Sequence, residues 1–151
     1  MTEHPLVARE LTCPACESIF TLHTPKSRAF QLLKRDADFC PYYEGHNPLF
    51  YQVWVCPRCS FAAYKEHWKP LSEVERIGMR QLSSEAKEGL RFDFSQPERT
   101  LFAAILSFKL AYRSYLRRMP SAYDHLGGVQ LRLAWLCRIG NDRKREIQHM
   151  G

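Results

Sequence analysis

The chain has 151 residues, of which 45% are hydrophobic and 25% charged, enough for one moderate core or for two small units that share an interface. Its formal charge of +6 permits a nucleic-acid partner without requiring one. No apolar run approaches the roughly 18 to 20 residues of a membrane-spanning helix, and no export signal opens the chain. We therefore expect a cytoplasmic protein without membrane contact, where paired cysteines bind metal more often than they form disulfides.

The first predicted unit, residues 1–69, is built around two Cys-Pro-x-Cys motifs, which contain Cys13, Cys16, Cys56 and Cys59. A two-residue spacing bends the chain so that both sulfurs of a motif reach one ion, and two motifs complete a tetrahedral set of four thiolates. Four protein ligands leave no open position for water or substrate. The sequence therefore predicts a structural Zn²⁺ site, with iron or an unmetallated redox pair as the alternative.

The two motifs are separated by residues 17–55, more than the roughly 15 to 20 residues of a simple zinc ribbon. This spacing predicts an insertion at about residues 24–48. Glycine, which is common after the second cysteine of such motifs, is replaced by Glu17 and Ser60. Residues 50–55 have the composition of a strand, preceded by a turn at residues 45–48. The apolar residues predicted to form a small core beneath the metal are Leu11, Phe20, Val55 and Phe61.

Four further residues are candidate ligands or nucleophiles: Cys40, His46, His67 and Cys137. Cys40 is interpreted as a small buried residue. The alternatives are that it replaces one of the motif cysteines as a ligand, or that it is a reactive thiol near Asp36 and Asp38 that His46 activates. Cys137 is predicted to belong to the core, because it lies next to the apolar stripe of its helix. The two histidines are predicted to occupy a turn and the surface.

The second predicted unit, residues 70–151, is helical. Ser72 and Glu75 match a capping box, which predicts a helix over residues 73–88. Pro97 fits the first position of a second helix, whose apolar stripe recurs in steps of four and three. The stripe consists of Leu101, Ile105, Phe108, Tyr112, Tyr115 and Met119.

A third helix is predicted to begin after Pro120, with Ser121 as its cap, and to end at Gly140. Its stripe consists of Ala122, Leu126, Val129, Leu133 and Leu136. So short a link predicts an antiparallel hairpin, and the glycines at 127–128 indicate a close helix contact or a kink. Asn141 is predicted to cap a further helix that stops after barely two turns, as expected for a piece of a longer protein.

Three stretches together resemble a bacterial family known only as domain of unknown function 2225. They are Lys-Arg-Asp-Ala-Asp-Phe-Cys-Pro-Tyr-Tyr at 34–43, Asn-Pro-Leu-Phe-Tyr at 47–51 leading to Trp-Val-Cys-Pro at 54–57, and Leu-Arg-Leu-Ala-Trp-Leu at 131–136. The resemblance covers most of the chain. It implies a zinc-ribbon-like N-terminal part followed by helices similar to tetratricopeptide repeats, with no established enzymatic activity.

The sequence thus predicts an α+β protein, in which a small zinc-ribbon-like unit with an inserted loop packs on antiparallel helical hairpins. We expect a protein-interaction or scaffolding module without catalytic activity, with another protein as its partner. Phe102 and Trp135, which lie off the stripes, are candidate contact residues or core residues. Nucleic-acid binding through basic residues at 113–118 and 143–145 is the first alternative. An enzyme that uses Cys40 is the second, although no zincin, phosphate-loop or nucleophile-elbow motif is present.

Overall fold

The computed structural model describes residues 5–86, 97–117 and 123–150, with side chains for all of these except 81–86, 123 and 142–150. Within these ranges it has the predicted α+β architecture, with three antiparallel two-stranded sheets and three α-helices. The elements are β1 (Leu6–Thr12), β2 (Ile19–Pro25), β3 (Phe30–Arg35), β4 (Pro41–Gly45), β5 (Val53–Val55), β6 (Ala62–Tyr64), α1 (Glu73–Ala86), α2 (Leu101–Leu116) and α3 (Tyr123–Met150). No helix in the described part of the chain is long and apolar enough to cross a membrane.

Each sheet is one hairpin, and the three hairpins follow one another along the chain. Strands β1 and β2 carry the first cysteine motif in their connection, and β5 and β6 carry the second. The predicted insertion contains the β3–β4 hairpin, in which Phe30 pairs with Gly45. The strand predicted over residues 50–55 is half right, because Pro48–Tyr51 forms a 3₁₀ turn and only Val53–Val55 is extended. The Asn47 side chain caps that turn by accepting a hydrogen bond from the Leu49 amide at 2.9 Å.

Helix α2 lies at the centre of the core. Its stripe residues Phe108 and Tyr115 are fully buried, whereas Leu101, Ile105 and Tyr112 are half-buried. The buried face is wider than the stripe because α2 contacts α3 as well as β5 and β6. One continuous hydrophobic core therefore includes residues from both predicted units, and the boundary between the units stays a prediction.

Two hydroxyl groups on α2 bind the backbone of β6. The Ala62 amide donates to Ser114 Oγ at 3.1 Å, and the Tyr64 amide donates to Tyr115 Oη at 3.0 Å. Ser114 is fully buried, so its hydroxyl satisfies a strand amide that water does not reach. These bonds fix the second cysteine motif, which lies between β5 and β6, against the helical part of the protein.

Helices α2 and α3 form the predicted antiparallel pair, since Leu101 lies beside Gly140 and Tyr115 beside His125. Two predicted boundaries are wrong. Helix α2 begins at Leu101 rather than at Pro97, because the Thr100 side chain accepts a hydrogen bond from the Ala103 amide and acts as the N-cap. Helix α3 continues through Gly140 to Met150, so Gly140 does not end it and Asn141 caps nothing.

The close helix contact predicted at residues 127–128 lies at another glycine of α3. A Cβ at Gly140 would approach Leu101 Cδ2 to 2.9 Å, whereas a Cβ at Gly127 would meet nothing within 4 Å. The close approach of α3 to α2 is therefore at Gly140 and not at the glycine pair. The predicted residues Met119, Pro120, Ser121 and Ala122 lie outside the described residues.

The capping box at the start of α1 is confirmed. The Ser72 amide donates to Glu75 Oε1 at 3.1 Å, and the Glu75 amide donates to Ser72 Oγ at 3.2 Å. Helix α1 runs over Glu73–Ala86, so the last two residues of the predicted helix lie outside the described residues. A Cβ at Gly78 would come within 2.9 Å of the Arg117 carbonyl oxygen, and this position is where α1 meets the end of α2.

An arginine of α3 holds the β3–β4 turn. The Arg138 guanidinium forms two hydrogen bonds with the Asp38 carboxylate, at 2.9 and 2.8 Å, and a third with Asp36 at 3.0 Å. The Trp135 indole also donates to Asp38, at 3.3 Å, and the Tyr42 hydroxyl donates to Asp36 at 2.8 Å. The acidic residues of the motif at 34–43 therefore dock the inserted hairpin on α3.

The Arg138–Asp38 pair predicts a pH effect on stability. The Arg138 hydrogen bonds lower the pKa of Asp38 from 3.8 to about 2. A carboxyl group whose pKa is lower in the folded state contributes stability that is complete above its ordinary pKa and is lost as the pH falls through the lowered value. We expect the stability difference between the protein and Asp38→Asn to be constant above about pH 5 and to shrink as the pH falls towards about 2. Chemical denaturation at a series of pH values measures it, with Asp124→Asn, at an exposed position of α3, as the control.

Candidate metal centre

The two cysteine motifs meet at the ends of their hairpins. The four Sγ atoms of Cys13, Cys16, Cys56 and Cys59 all lie within 4.8 Å of one another. The Cys13 and Cys59 sulfurs are 3.5 Å apart, and those of Cys16 and Cys56 are 3.6 Å apart. The close pairs join one motif to the other, so the cluster connects two hairpins that are distant in the sequence.

The cluster has the dimensions of a four-sulfur metal site. Four sulfurs placed tetrahedrally at the usual zinc distance of about 2.3 Å are about 3.8 Å apart, close to the two distances between the motifs. Cys13 and Cys56 are fully buried, and the other two cysteines are half-buried. In the described part of the chain, this is the one group of His, Cys, Asp or Glu side chains arranged to hold a metal ion.

The backbone of each motif folds back on its first cysteine in the same way. The Cys13 amide donates to the Ser18 carbonyl at 2.9 Å, and the Cys13 carbonyl accepts from Glu17 at 2.9 Å. In the second motif, Cys56 has the equivalent two bonds. In the first motif, the backbone amide of Ala15 also donates a hydrogen bond to Cys13 Sγ at 3.4 Å. Such amide donors orient metal-binding thiolates and stabilise their charge.

The residue after each motif adopts a left-handed backbone conformation. Glu17 has a φ of 64° and Ser60 a φ of 66°, in the region that glycine enters without strain. Glu17 and Ser60 thus keep the backbone conformation that glycine would adopt at these positions. Because both residues have a Cβ, this conformation is strained. The Glu17 side chain forms an exposed ion pair with Arg76 at 3.8 Å, which makes Ser60 the simpler position to test.

Replacing Ser60 with glycine is expected to stabilise the protein by about 0.5 to 1 kcal/mol. Relief of the left-handed strain exceeds the extra conformational entropy that glycine gives to the unfolded chain. Ser60→Ala, which removes the hydroxyl and keeps the Cβ, is the matched control. Urea denaturation of the metal-loaded proteins measures both changes, and a glycine variant no more stable than the alanine variant contradicts the expectation.

The thiols of the cluster influence one another. The pKa of Cys56 is lowered, first by the hydrogen bond from Cys13 and then by that from Cys59. The pKa values of Cys13 and Cys59 are raised, first by hydrogen bonds to Cys56 and to Cys13 respectively. The opposite directions reflect protons that the crowded sulfurs share with one another. A metal cation that binds all four sulfurs must displace these protons.

The core beneath the cluster agrees with the sequence prediction and contains one residue that the prediction missed. Val55 and Phe61 are buried, while Leu11 and Phe20 are half-buried. The missed residue is Trp68, whose ring lies 5.1 Å from that of Phe61 and 6.0 Å from that of Phe20. Its indole donates to the Thr12 carbonyl at 3.1 Å. Trp68 therefore contacts residues next to both cysteine motifs. No periodic pattern in the sequence indicates this role.

Cys40 lies apart from the cluster and is fully buried. Burial raises the pKa of its thiol, which agrees with the interpretation of a small core residue and argues against an activated nucleophile. Its acidic neighbours Asp36 and Asp38 bind Arg138. His46 is half-buried at the turn after β4, where a turn residue was predicted.

Cys137 is exposed, so its prediction as a core residue is wrong. It lies one position beyond the buried Leu136, and one step along a helix turns the side chain by about 100° away from the core. His67 is half-buried rather than a surface residue: its Nδ1 atom lies 2.6 Å from Tyr115 Oη, and its ring lies 4.1 Å from the His125 ring, centroid to centroid, with the two planes tilted by 46°.

The aromatic residues are divided between core and surface. Trp135 is buried, with 8% of its surface exposed, whereas Phe102 is 68% exposed. In the aromatic stretch around the insertion, Phe50, Tyr51 and Trp54 are buried, and Phe39 is 72% exposed. Packing explains Trp135 and most of the stretch, whereas the Phe39 and Phe102 side chains are largely exposed to solvent.

Comparison with known proteins agrees with the resemblance found in the sequence. A family model described as an uncharacterized protein conserved in bacteria, domain of unknown function 2225 (DUF2225), matches residues 6–151. No curated protein and no solved structure matches the chain. Because the family model covers nearly the whole sequence, the chain belongs to this uncharacterised bacterial family.

Proposed function

We propose that this protein is an interaction module whose β-hairpins are held together by one structural zinc ion, bound by Cys13, Cys16, Cys56 and Cys59. The observation that carries the proposal is the cluster of four sulfurs within 4.8 Å of one another. An all-sulfur tetrahedral set is typical of structural zinc. Bound there, zinc would neutralise the crowded thiolates and tie the first hairpin to the third.

A structural role for the ion fits the position of the cluster. Four protein ligands fill the coordination of zinc and leave no site for a substrate. The cluster lies at the connections of two hairpins, each of which forms a sheet of only two strands. A two-stranded hairpin has little stability of its own. Zinc would supply stability that these small sheets lack, so we assign it no catalytic step.

A protein partner is supported by large apolar side chains on the surface. Phe39 is 72% exposed and Phe102 is 68% exposed. Phe39 also has a φ of 69°, an unfavourable conformation for an aromatic residue that is not compensated by burial of its ring. Exposed aromatic residues are enriched at the centres of protein interfaces. We assign contact roles to these two residues.

The metal half of the proposal is tested by elemental analysis of protein purified without added chelator. One zinc ion per chain is expected, and none after Cys56→Ser. Cobalt substitution is expected to give the intense visible and charge-transfer bands of a tetrahedral four-thiolate site. Iron in place of zinc, or a full metal content in Cys56→Ser, would contradict the assignment.

The interaction half is tested by affinity capture from a bacterial extract, with Phe39→Ser and Phe102→Ser as surface variants. A partner protein retained by the unaltered chain and lost with either variant supports the proposal. Arg113→Ser, a substitution at an exposed position of α2, is the matched control. Retention of nucleic acid that falls steeply with salt would favour the nucleic-acid alternative instead.

A further inference from the structure

An open cleft of about 490 Å³ lies on the side of the protein where β1, β5, β6 and α3 come together. Its wall includes charged side chains from three separate elements, namely Arg9, Lys65 and Arg132, with Glu66 as the one acidic residue. Trp54 and Tyr64 contribute aromatic surface to the same wall. The volume is within the range of small-molecule sites, which combine apolar walls with a few polar groups.

Arg132 is held in a defined orientation within this wall. Its Nε atom donates to Gln52 Oε1 at 3.0 Å, and its Nη1 atom donates to the Gly128 carbonyl at 3.1 Å. The guanidinium group also lies over the rings of Tyr64 and Trp135, at 5.4 and 5.8 Å from their centroids. Because these contacts fix its plane, Arg132 would lose little conformational entropy on binding an anion.

The cations of the cleft lack acidic partners in the described part of the chain. Arg9 donates to the Thr24 hydroxyl at 3.0 Å, and Arg132 has only the neutral acceptors named above. By contrast, Arg138 binds two carboxylates. Three positive charges therefore face one negative charge in the cleft, and this excess would attract an anion carrying two charges.

A polar group in the wall also lacks a partner. Among the described residues, the Tyr64 hydroxyl is the buried side-chain polar atom without a hydrogen bond. Burial raises the pKa of this phenol, so it keeps its proton and remains a donor. An unsatisfied buried group of this kind is rare in folded proteins and is commonly explained by a bound water or ion.

We propose that the cleft binds a small organic phosphate monoester. Two charges on the phosphate balance the excess of the cleft, and Arg132 offers the planar donors that match phosphate oxygens. The aromatic wall would contact the organic part. A single carboxylate would balance only half of the charge. The cleft contains none of the four cysteines. A negative result for phosphate binding would therefore leave the proposed function unaffected.

The test uses phenyl phosphate as the probe and two-dimensional NMR of the ¹⁵N-labelled, metal-loaded protein as the readout. We expect saturable shifts of the amides of Gln52 and Lys65 and of the Trp54 indole, with a Kd of about 1 mM or below. Arg132→Met is expected to weaken binding at least about tenfold. Glu66→Gln, which removes the opposing charge, is expected to strengthen binding about threefold.

Arg113→Met, outside the cleft, is the matched control and should leave the affinity unchanged. If Arg132→Met does not fold, the exposed Lys65→Gln replaces it, with an expected loss of about threefold. The proposal is overturned if phenyl phosphate at about 10 mM causes no saturable shift in the cleft. It is also overturned if the shifts occur but none of the cleft substitutions changes the affinity.

Discussion

Replacing Cys56 with serine is expected to abolish metal binding and to unfold the β-hairpins. A four-cysteine zinc site contributes on the order of 10 kcal/mol to folding at neutral pH, which equals or exceeds the whole stability of most domains of this size. Because Cys56 is fully buried and its sulfur lies 3.6 Å from that of Cys16, serine would also leave the remaining thiols without a complete site. Near-ultraviolet circular dichroism and elemental analysis measure the result.

The loss is expected to extend into helix α2. Ala62 and Tyr64 bind the hydroxyls of Ser114 and Tyr115, so α2 would lose packing and hydrogen bonds when β5 and β6 separate from it. Far-ultraviolet circular dichroism should therefore show reduced helix content as well. Cys137→Ser, which changes an exposed cysteine, is the control and should retain one metal ion per chain. A Cys56→Ser protein with native near-ultraviolet signal would show that the metal contributes little.

Replacing Arg99 with methionine is expected to lower the free energy of unfolding by about 2 to 4 kcal/mol. The Arg99 Nη1 atom donates to the Phe50 carbonyl at 3.1 Å and to the Val53 carbonyl at 2.6 Å, and its backbone amide donates to Tyr51 Oη at 3.1 Å. Burial lowers the pKa of the guanidinium to about 10, so the charge persists at neutral pH. Methionine would fill part of the volume and leave both carbonyls without their donor.

Urea denaturation of the metal-loaded proteins measures this change. Arg113→Met, at an exposed position of α2, should alter stability by no more than about 0.5 kcal/mol. Arg99→Lys keeps the charge but replaces the planar guanidinium with a shorter ammonium group that cannot reproduce both bonds in the same geometry, so its stability should lie between those of the protein and the methionine variant. Equal stability of Arg99→Met and Arg113→Met would show that the two carbonyl bonds contribute nothing.

The local features of the chain were predictable because neighbouring residues determine them. The spacing of two residues between Cys13 and Cys16 places both sulfurs on one side of a turn whatever the rest of the chain does. The capping box of Ser72 and Glu75 likewise needs only the first turn of its helix. The stripe of α2 identified Phe108 and Tyr115 as buried because helical periodicity is itself local.

The wrong predictions concern residues whose roles depend on distant contacts. Gly140 has the local properties of a helix end, yet the approach of Leu101 from another helix gives it a packing role inside α3. Pro97 fits a helix start, and Thr100 supplies the cap instead. Cys137 has an apolar side chain next to a buried stripe, and the direction in which α2 packs leaves it exposed.

The family, the mixed α+β class and the four cysteines of the candidate metal centre were recognisable from the order of the amino acids. The folded protein was needed to see that Arg138 docks the inserted hairpin on α3 and that Trp68 contacts both cysteine motifs. It also brought Arg9, Lys65 and Arg132 to one cleft. The physical reason is the range of the interactions: turn geometry and helix caps act over a few residues, whereas ion pairs and core contacts join residues that the sequence separates by tens of positions.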